Sequence, residues 1–394
     1  MSTASATVSR WSRRFVFLGA IYLLSWQVLT VGGVSRRVAV VVGLYGFVFH
    51  VLFGKAYALV PTYFDRTLEP SWAPAVHWPA TGGGVALLTL DALGVAPVGG
   101  VGATLWTVGV VVFVGTLGWT VRGNLTGSET ATSDANADRR PVDRRANALV
   151  PVALGYLLVG SYALLSLETG LAGPFDGYAA RSTHLLAAGG ATTVLFAVGF
   201  RLLPRFFVAS VPRWLVWVVL PTGAVGPLAL ALTIPTGRWF VLAAVVEATA
   251  VAGFALAVGS LFVRSDRRRV GFYGPLAGAV CGVLGASLGI WFALGGPIGT
   301  LSSVHLRLNV LGFLGLTIVG VTYQFYPPAV GTFRGASDRT AGFALVALLG
   351  GLGLEVVGVS VTAPSVETAG GVLGTVGALV YVWLLGRLFR DRYG

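Results

Sequence analysis

The chain is a succession of long apolar runs separated by short polar segments. Twelve of these runs approach 20 residues, about the length that crosses the apolar core of a bilayer as a helix. They are predicted near 15–33, 38–60, 81–98, 101–121, 147–167, 183–203, 214–234, 239–262, 271–294, 303–327, 340–361 and 369–388. The pattern therefore predicts an all-α integral membrane protein with about twelve transmembrane helices in a single polytopic domain, 1–394.

The composition fits this fold class. Of the 394 residues, 55% are hydrophobic and 11% are charged, whereas a soluble domain carries about 25% charged residues. The single cysteine, Cys281, lies inside an apolar run. It excludes an intrachain disulfide, a zinc site built on several cysteines and a cysteine-ligated iron–sulfur cluster. The lipid bilayer is the predicted partner of most of the surface.

The basic residues determine the predicted orientation. With the N-terminus inside, 21 arginines fall on inner segments and only Arg36, Arg37, Arg181 and Arg238 on outer ones. Basic residues accumulate on cytoplasmic segments, so both termini are predicted to be cytoplasmic, in the cell membrane. The net charge of +12 follows this topology, and nucleic acid is excluded as a partner. The one long polar segment, 123–146, is predicted to be a cytoplasmic loop.

Three of the predicted spans end alike. Each has a small residue, an aromatic residue three positions later and a proline seven positions later. The three sets are Gly54, Tyr57 and Pro61; Ala197, Phe200 and Pro204; and Gly320, Tyr323 and Pro327. These spans are the second, sixth and tenth, so the endings recur every fourth span. The recurrence predicts three pseudo-symmetric groups of four helices.

Histidines occupy similar places near the start of two of these spans. His184 lies 20 positions before Pro204, and His305 lies 22 positions before Pro327. The corresponding part of the second span contains only small and aliphatic residues. Neutral imidazole is a common axial ligand of haem iron. The two histidines are therefore candidate haem or metal ligands, and the alternative is a hydrogen bond from each to a helix carbonyl.

Twelve spans in three groups of four, with histidines on the sixth and tenth, resemble subunit I of haem–copper oxidases and nitric oxide reductases. The segment from Val304 to Pro328 is the most similar part, since it resembles the tenth helix of that family, which carries a His-x-His pair. The NnrS-like membrane proteins, which are associated with haem, copper and nitric oxide, are a close relative of the same design. The resemblance implies a twelve-helix fold and a role in respiratory or nitric oxide physiology.

This sequence also departs from the family pattern. The family binds two haems and a copper ion through more histidines than the four present here. His305 matches the first position of the His-x-His pair, whereas Arg307 stands at the second. The resemblance therefore implies at most one haem, of the b type, held by His184 and His305 with Arg307 beside it. A bound copper ion and complete oxygen reduction are not expected.

Arg307 and three acidic residues lie within predicted spans. A charged side chain at membrane depth is costly and is generally paired or functional. Arg307 is expected to pair with a haem propionate, an anionic substrate or an acid on a neighbouring helix. Asp91, Glu247 and Glu355 are expected either to form hydrogen bonds between helices or to serve transport.

For the other two histidines, His50 and His77, the sequence predicts a position rather than a ligand role. His50, in the middle of the second span, is expected to be packed or to line a pore. His77 stands beside Trp78 and Pro79, and this neighbourhood places it in the loop before the third span.

Two further functions stay open at this point. One is a secondary transporter that uses the intramembrane acids and Arg307. The other is a structural subunit that binds other membrane or redox subunits without a cofactor.

Overall fold

A computed structural model describes residues 3–393 of the chain, and within that range it contains twelve long helices and no β-strand. They are α1 Thr3–Val31, α2 Arg36–Tyr63, α3 Ala73–Ala92, α4 Gly99–Val121, α5 Arg140–Thr169, α6 Ala179–Phe207, α7 Arg213–Thr233, α8 Arg238–Arg264, α9 Tyr273–Ala293, α10 301–325, α11 Asp338–Ser360 and α12 Pro364–Tyr393. Short 3₁₀ helices cover Asp134–Arg139, Val270–Phe272 and Pro328–Val330.

The predicted all-α class, with many apolar helices, is confirmed. Within the described residues, eleven helices are long and apolar enough to cross a bilayer, and each overlaps one predicted span. The chain is thus an all-α, multi-pass membrane protein. The twelfth helix, α3, has 20 residues, which suffices in length, but it lacks the long apolar stretch that each of the other eleven contains.

Helix α3 corrects the predicted third span, 81–98. The helix begins at Ala73, with Pro74 in its first turn, where a proline costs no hydrogen bond. It ends before Gly94, whose φ of 72° is the left-handed conformation that terminates many helices. His77 therefore lies inside a helix, fully buried, and the prediction that it belongs to a loop is wrong.

The polar segment 123–146 is shorter as a loop than predicted. Residues Asp134–Arg139 form a 3₁₀ helix, and α5 already begins at Arg140. Pro141 stands in the first turn of α5, where its fixed φ favours helix initiation. The apolar pattern could not show this first turn, because it is polar and lies outside the apolar run.

Three helices share an unusual backbone feature. A π-helical segment interrupts α2 at Val40–Val48, α6 at Leu185–Thr192 and α10 at Leu308–Leu316. Each ends 11 to 13 residues before the proline of the repeated ending, namely Val48 before Pro61, Thr192 before Pro204 and Leu316 before Pro327. Since π-helices account for well under 1% of residues, three at matching positions are not expected by chance.

The chain divides into two compact units. Unit one contains Met1–Leu18, Phe49–Leu202 and Arg213–Ala250, and unit two contains Gly19–Val48, Leu203–Pro212 and Val251–Gly394. In unit one, a Cβ added at Gly84 of α3 would lie 2.6 Å from the backbone nitrogen of Trp106 in α4. In unit two, a Cβ added at Gly351 of α11 would lie 2.6 Å from the backbone nitrogen of Gly374 in α12. In both units, therefore, glycine lets paired helices touch at backbone distance.

Candidate functional site

His305, in unit two, is oriented by the backbone of a neighbouring helix. Its Nδ1 lies 2.9 Å from the carbonyl oxygen of Gly285 in α9, and its ring packs edge-on against Phe292 with centroids 5.7 Å apart. A carbonyl oxygen only accepts, so Nδ1 carries the hydrogen and the lone pair of the neutral ring lies on Nε2. Histidines that ligate metals commonly have this second hydrogen bond.

His184, in unit one, has a similar arrangement within its own helix. Its Nδ1 lies 2.7 Å from the carbonyl oxygen of Ala180, which again leaves the lone pair on Nε2. The π-helical segment of α6 starts at the next residue, and that of α10 starts three residues after His305. The predicted hydrogen bonds to helix carbonyls are thus present, and they are compatible with ligation through Nε2. That the two histidines share one haem stays a prediction.

Arg307 forms ion pairs with two acids in unit two. Its Nε lies 3.5 Å from Oε2 of Glu355 on α11, and its Nη2 lies 3.0 Å from Oε1 of Glu367 on α12. The side chain of Glu355 is 1% exposed, that of Arg307 15% and that of Glu367 36%. Of the partners expected for Arg307, the structure shows the acid on a neighbouring helix. Glu367 was not predicted.

Two atoms of this cluster have no hydrogen-bond partner. They are Nη1 of Arg307 and Oε1 of Glu355, and both are buried. A buried donor and a buried acceptor without partners are costly, so the cluster is only partly satisfied. Two carboxylates face one guanidinium, which leaves a formal excess of one negative charge when both acids are ionised.

Asp91 and Glu247, the other acids at membrane depth, have different environments in unit one. Oδ1 of Asp91 accepts a hydrogen bond from the backbone N–H of Gly99 at 2.9 Å, so Asp91 satisfies one free N–H at the start of α4. Glu247 packs on α7, since a Cβ added at Gly226 would collide with its Oε2. Asp91 thus forms a hydrogen bond that joins α3 to the start of α4.

A second buried arginine, Arg201 on α6, was not singled out from the sequence. Its Nη1 donates to the carbonyl of Tyr63 at 2.7 Å and to Oδ1 of Asn147 at 2.5 Å, and its Nη2 donates to the carbonyl of Thr130 at 2.9 Å. Its Nε lies 3.4 Å from Oδ1 of Asp143. This network joins the end of α2 and the polar loop to α5 and α6 within unit one.

His50 and His77, also in unit one, are both fully buried. Each packs against the rings of Phe15 and Phe53, with centroid distances of 6.1 and 6.2 Å for His50 and 4.9 and 4.5 Å for His77. The expectation that His50 is packed is met. The burial of His77 could not be predicted, since Trp78 and Pro79 beside it are typical of a loop.

The comparisons with known proteins add no family. No protein-family model and no curated protein matches this chain. Within residues 3–393, no three side chains of His, Cys, Asp or Glu are grouped so that they could hold a metal ion. The candidate residues therefore rest on their own geometry, which consists of one oriented histidine in each unit and, in unit two, a partly satisfied arginine–carboxylate cluster.

Proposed function

We propose that this chain is a membrane protein built on the scaffold of haem–copper oxidase subunit I. It would have twelve spans in three groups of four, with both termini in the cytoplasm, and would bind at most one haem b. The observation that carries the proposal is the set of three π-helical segments in α2, α6 and α10, at matching distances from the repeated proline. A rare backbone feature that recurs at every fourth span supports an ancestral four-helix repeat.

The two oriented histidines fit the proposed cofactor. Each neutral imidazole keeps its lone pair on Nε2, because a backbone carbonyl holds Nδ1, and a lone pair of this kind is what haem iron accepts. A bound haem would supply one-electron redox chemistry or gas binding. The residues of this chain would hold the iron and orient the rings.

An absorption spectrum tests the proposal. The protein, purified in detergent and reduced with dithionite, is expected to show the Soret band of a b-type haem. His184→Ala and His305→Ala should each shift or abolish this band, whereas Glu247→Gln should leave it unchanged. Protein that shows no Soret band, including after expression with added haem, would refute haem binding.

Transport is the second candidate, and the Arg307 cluster favours it. Glu355 is almost fully buried, while Glu367 of the same cluster is about a third exposed. A buried carboxylate with an unpartnered oxygen next to a solvent-facing acid is typical of groups that exchange protons or ions across a membrane. The test is proton flux into liposomes that contain the protein and a pH-sensitive dye, under an imposed pH gradient. Glu355→Gln should abolish the flux and His305→Ala should not; flux equal to that of empty liposomes would exclude this function.

A further inference from the structure

The first turns of α5 and α7 meet at a tryptophan on the surface of unit one. Trp217, near the start of α7, is 55% exposed. The guanidinium of Arg145, near the start of α5, lies directly over its indole ring. Both residues stand within a few positions of the point where the apolar run of their helix begins. The contact is therefore expected at the boundary between the apolar core and the headgroups of a bilayer, the depth that tryptophan prefers.

A second arginine stands on the same face of α7. Arg213 precedes Trp217 by four positions, so the two side chains are neighbours on the helix surface, and both are exposed. In the part of the chain that the structure describes, neither Arg145 nor Arg213 has a carboxylate partner. Asp143, the acid closest to Arg145 in sequence, is buried in its ion pair with Arg201. Two uncompensated positive charges thus flank one exposed indole ring.

The position of Arg145 over the ring leaves its hydrogen-bonding edge free. A guanidinium contacts an aromatic ring through its flat face, whereas its N–H groups point outward in the plane. Among the described residues, none accepts a hydrogen bond from the side chain of Arg145. The planar edge matches two oxygens of a phosphate group, and such pairs are frequently bidentate. Trp217 therefore holds a guanidinium whose donors are available to an anion.

A comparable arginine–tryptophan pair in unit one shows the difference that a carboxylate makes. The guanidinium of Arg122 lies 4.0 Å from the centre of the ring of Trp119, which is 57% exposed. Nη1 of Arg122 lies 3.9 Å from Oε2 of Glu69, and it also donates to the carbonyl oxygen of Trp119 at 2.5 Å. The charge of Arg122 is thus compensated by an acid, whereas the charges beside Trp217 are not.

We propose that Arg145, Arg213 and Trp217 bind the headgroup of an anionic phospholipid. The lipid phosphate accepts hydrogen bonds from the guanidinium edges, and the indole ring packs against the glycerol and the upper part of an acyl chain. A zwitterionic lipid fits less well, because its ammonium group would add a third positive charge. The site shares no residue with the proposed haem site or with the Arg307 cluster, so each proposal can fail without the others.

Competition between two phospholipids tests the site. Purified protein in detergent is mixed with equal amounts of anionic phosphatidylglycerol and zwitterionic phosphatidylcholine with the same acyl chains, and native mass spectrometry identifies the bound lipid. Wild type should retain phosphatidylglycerol in preference to phosphatidylcholine. Arg145→Gln and Arg213→Gln should each lower this preference about fivefold, which corresponds to ~1 kcal/mol per basic residue. Arg122→Gln is the matched control and should leave the preference unchanged.

Two results of this competition would overturn the proposal. One is equal retention of the two lipids by wild type. The other is a preference that Arg145→Gln and Arg213→Gln leave as high as Arg122→Gln does, since the anionic lipid would then bind elsewhere. All three arginines have side chains at the surface or near it, so the variants are expected to fold.

A second measurement needs no variant. The melting temperature of wild type in detergent is recorded with phosphatidylglycerol, with phosphatidylcholine and with inorganic phosphate, each at low and at high sodium chloride. A ligand of the folded state raises the melting temperature, so phosphatidylglycerol should raise it most, and salt should reduce this rise by screening the charges. An equal rise with inorganic phosphate would indicate a site for the free anion, and a rise that salt does not reduce would exclude binding through the arginines.

Discussion

Two largely buried arginines differ in how many hydrogen bonds hold them and in how far they are exposed. Arg201 in unit one has an ion pair with Asp143, three hydrogen bonds to buried oxygens and an exposure of 4%. The ring of Tyr63 also lies under its guanidinium, with the charge centre 4.0 Å from the ring centroid. Arg307 in unit two has two acids, a buried nitrogen without a partner and an exposure of 15%.

The difference separates a structural charge from a candidate functional one. A buried charge held by three hydrogen bonds and an ion pair, as in Arg201, joins helices and loops, and movement would cost these interactions. A charge with an unpartnered atom and an exposed neighbour, as in the Arg307 cluster, can still bind a ligand or exchange one partner for another. Replacing an arginine of the first type, such as Arg201, should therefore lower stability strongly. Replacing one of the second type, such as Arg307, should lower stability less and should change function.

Replacement of Arg201 should cause the largest loss of stability. Arg201→Met leaves the carboxylate of Asp143, 1% exposed, buried without its partner, which costs about 3–5 kcal/mol. The free energy of unfolding, measured by denaturant titration in mixed micelles, should fall by that amount. The double variant Arg201→Met/Asp143→Leu should recover much of the loss, because no charge then remains buried. A loss below about 1 kcal/mol in the single variant would contradict the structural role.

Replacement of Arg307 should cost less stability than replacement of Arg201. Arg307→Met leaves Glu355 unpaired, but the cluster already contains unpartnered atoms and is open to solvent at Glu367. We expect a loss of about 1–3 kcal/mol, less than the ~3–5 kcal/mol of a fully buried pair, because the guanidinium of Arg307 is itself 15% exposed and the pair is partly solvated. The same denaturant titration gives the comparison. If Arg307→Met lost as much stability as Arg201→Met, or more, then exposure and number of hydrogen bonds would not predict how much each arginine stabilises the protein.

The two acids of the Arg307 cluster should themselves differ. Glu355→Gln removes a charge that is 1% exposed, whereas Glu367→Gln removes one that is 36% exposed. Exposed ion pairs contribute about 0–1 kcal/mol, so Glu367→Gln should change the free energy of unfolding little. Glu355→Gln should change it more, and in either direction, since neutralisation also removes the excess negative charge. If the two variants changed the free energy of unfolding equally, burial would not explain how much each acid contributes to stability.

The hydrogen bond that Asp91 accepts from the backbone should contribute less to stability than the buried ion pairs. Asp91→Ala removes the acceptor for the N–H of Gly99 and should cost about 1 kcal/mol, as for other helix caps. Asp91→Asn keeps a side-chain oxygen and should cost less. The same denaturant titration, applied to both variants, compares their free energies of unfolding. A larger loss of stability in Asp91→Asn than in Asp91→Ala would exclude the capping role.

The smallest effect is expected at the ion pair between Arg181 and the exposed Asp176. Arg181 lies against Asp176 with Nε 2.9 Å from Oδ1 and Nη2 3.1 Å from Oδ2. The hydrogen bonds from the Arg181 side chain, and then from the backbone N–H of Tyr178, lower the pKa of Asp176 below its ordinary value of 3.8. The stabilisation is therefore present above about pH 3.8 and is lost as the pH falls through the lowered pKa.

The melting temperatures of wild type and Asp176→Asn measure this stabilisation. They should differ slightly at pH 6, and the difference should disappear on acidification below pH 3. A difference that grows on acidification would have the wrong sign for a lowered pKa.

The apolar runs predicted the helices because burial in lipid requires long apolar segments, and this requirement is local in sequence. The Arg201 network was missed because its partners are 54 to 138 positions away, and nothing local marks them. The π-helical segments were missed as well, since their hydrogen-bond register leaves no trace in an apolar pattern. Glu355 was found because an acid inside an apolar run is conspicuous, whereas Glu367 stands at the polar start of α12.

The haem content of the purified protein tests the central claim most directly. A pyridine haemochrome assay, combined with amino-acid analysis, gives the number of haems per chain and their type. The scaffold and the two oriented histidines predict one haem b per chain in wild type and none in His184→Ala/His305→Ala. Two haems per chain, no haem, or undiminished haem in the double variant would contradict the proposed function.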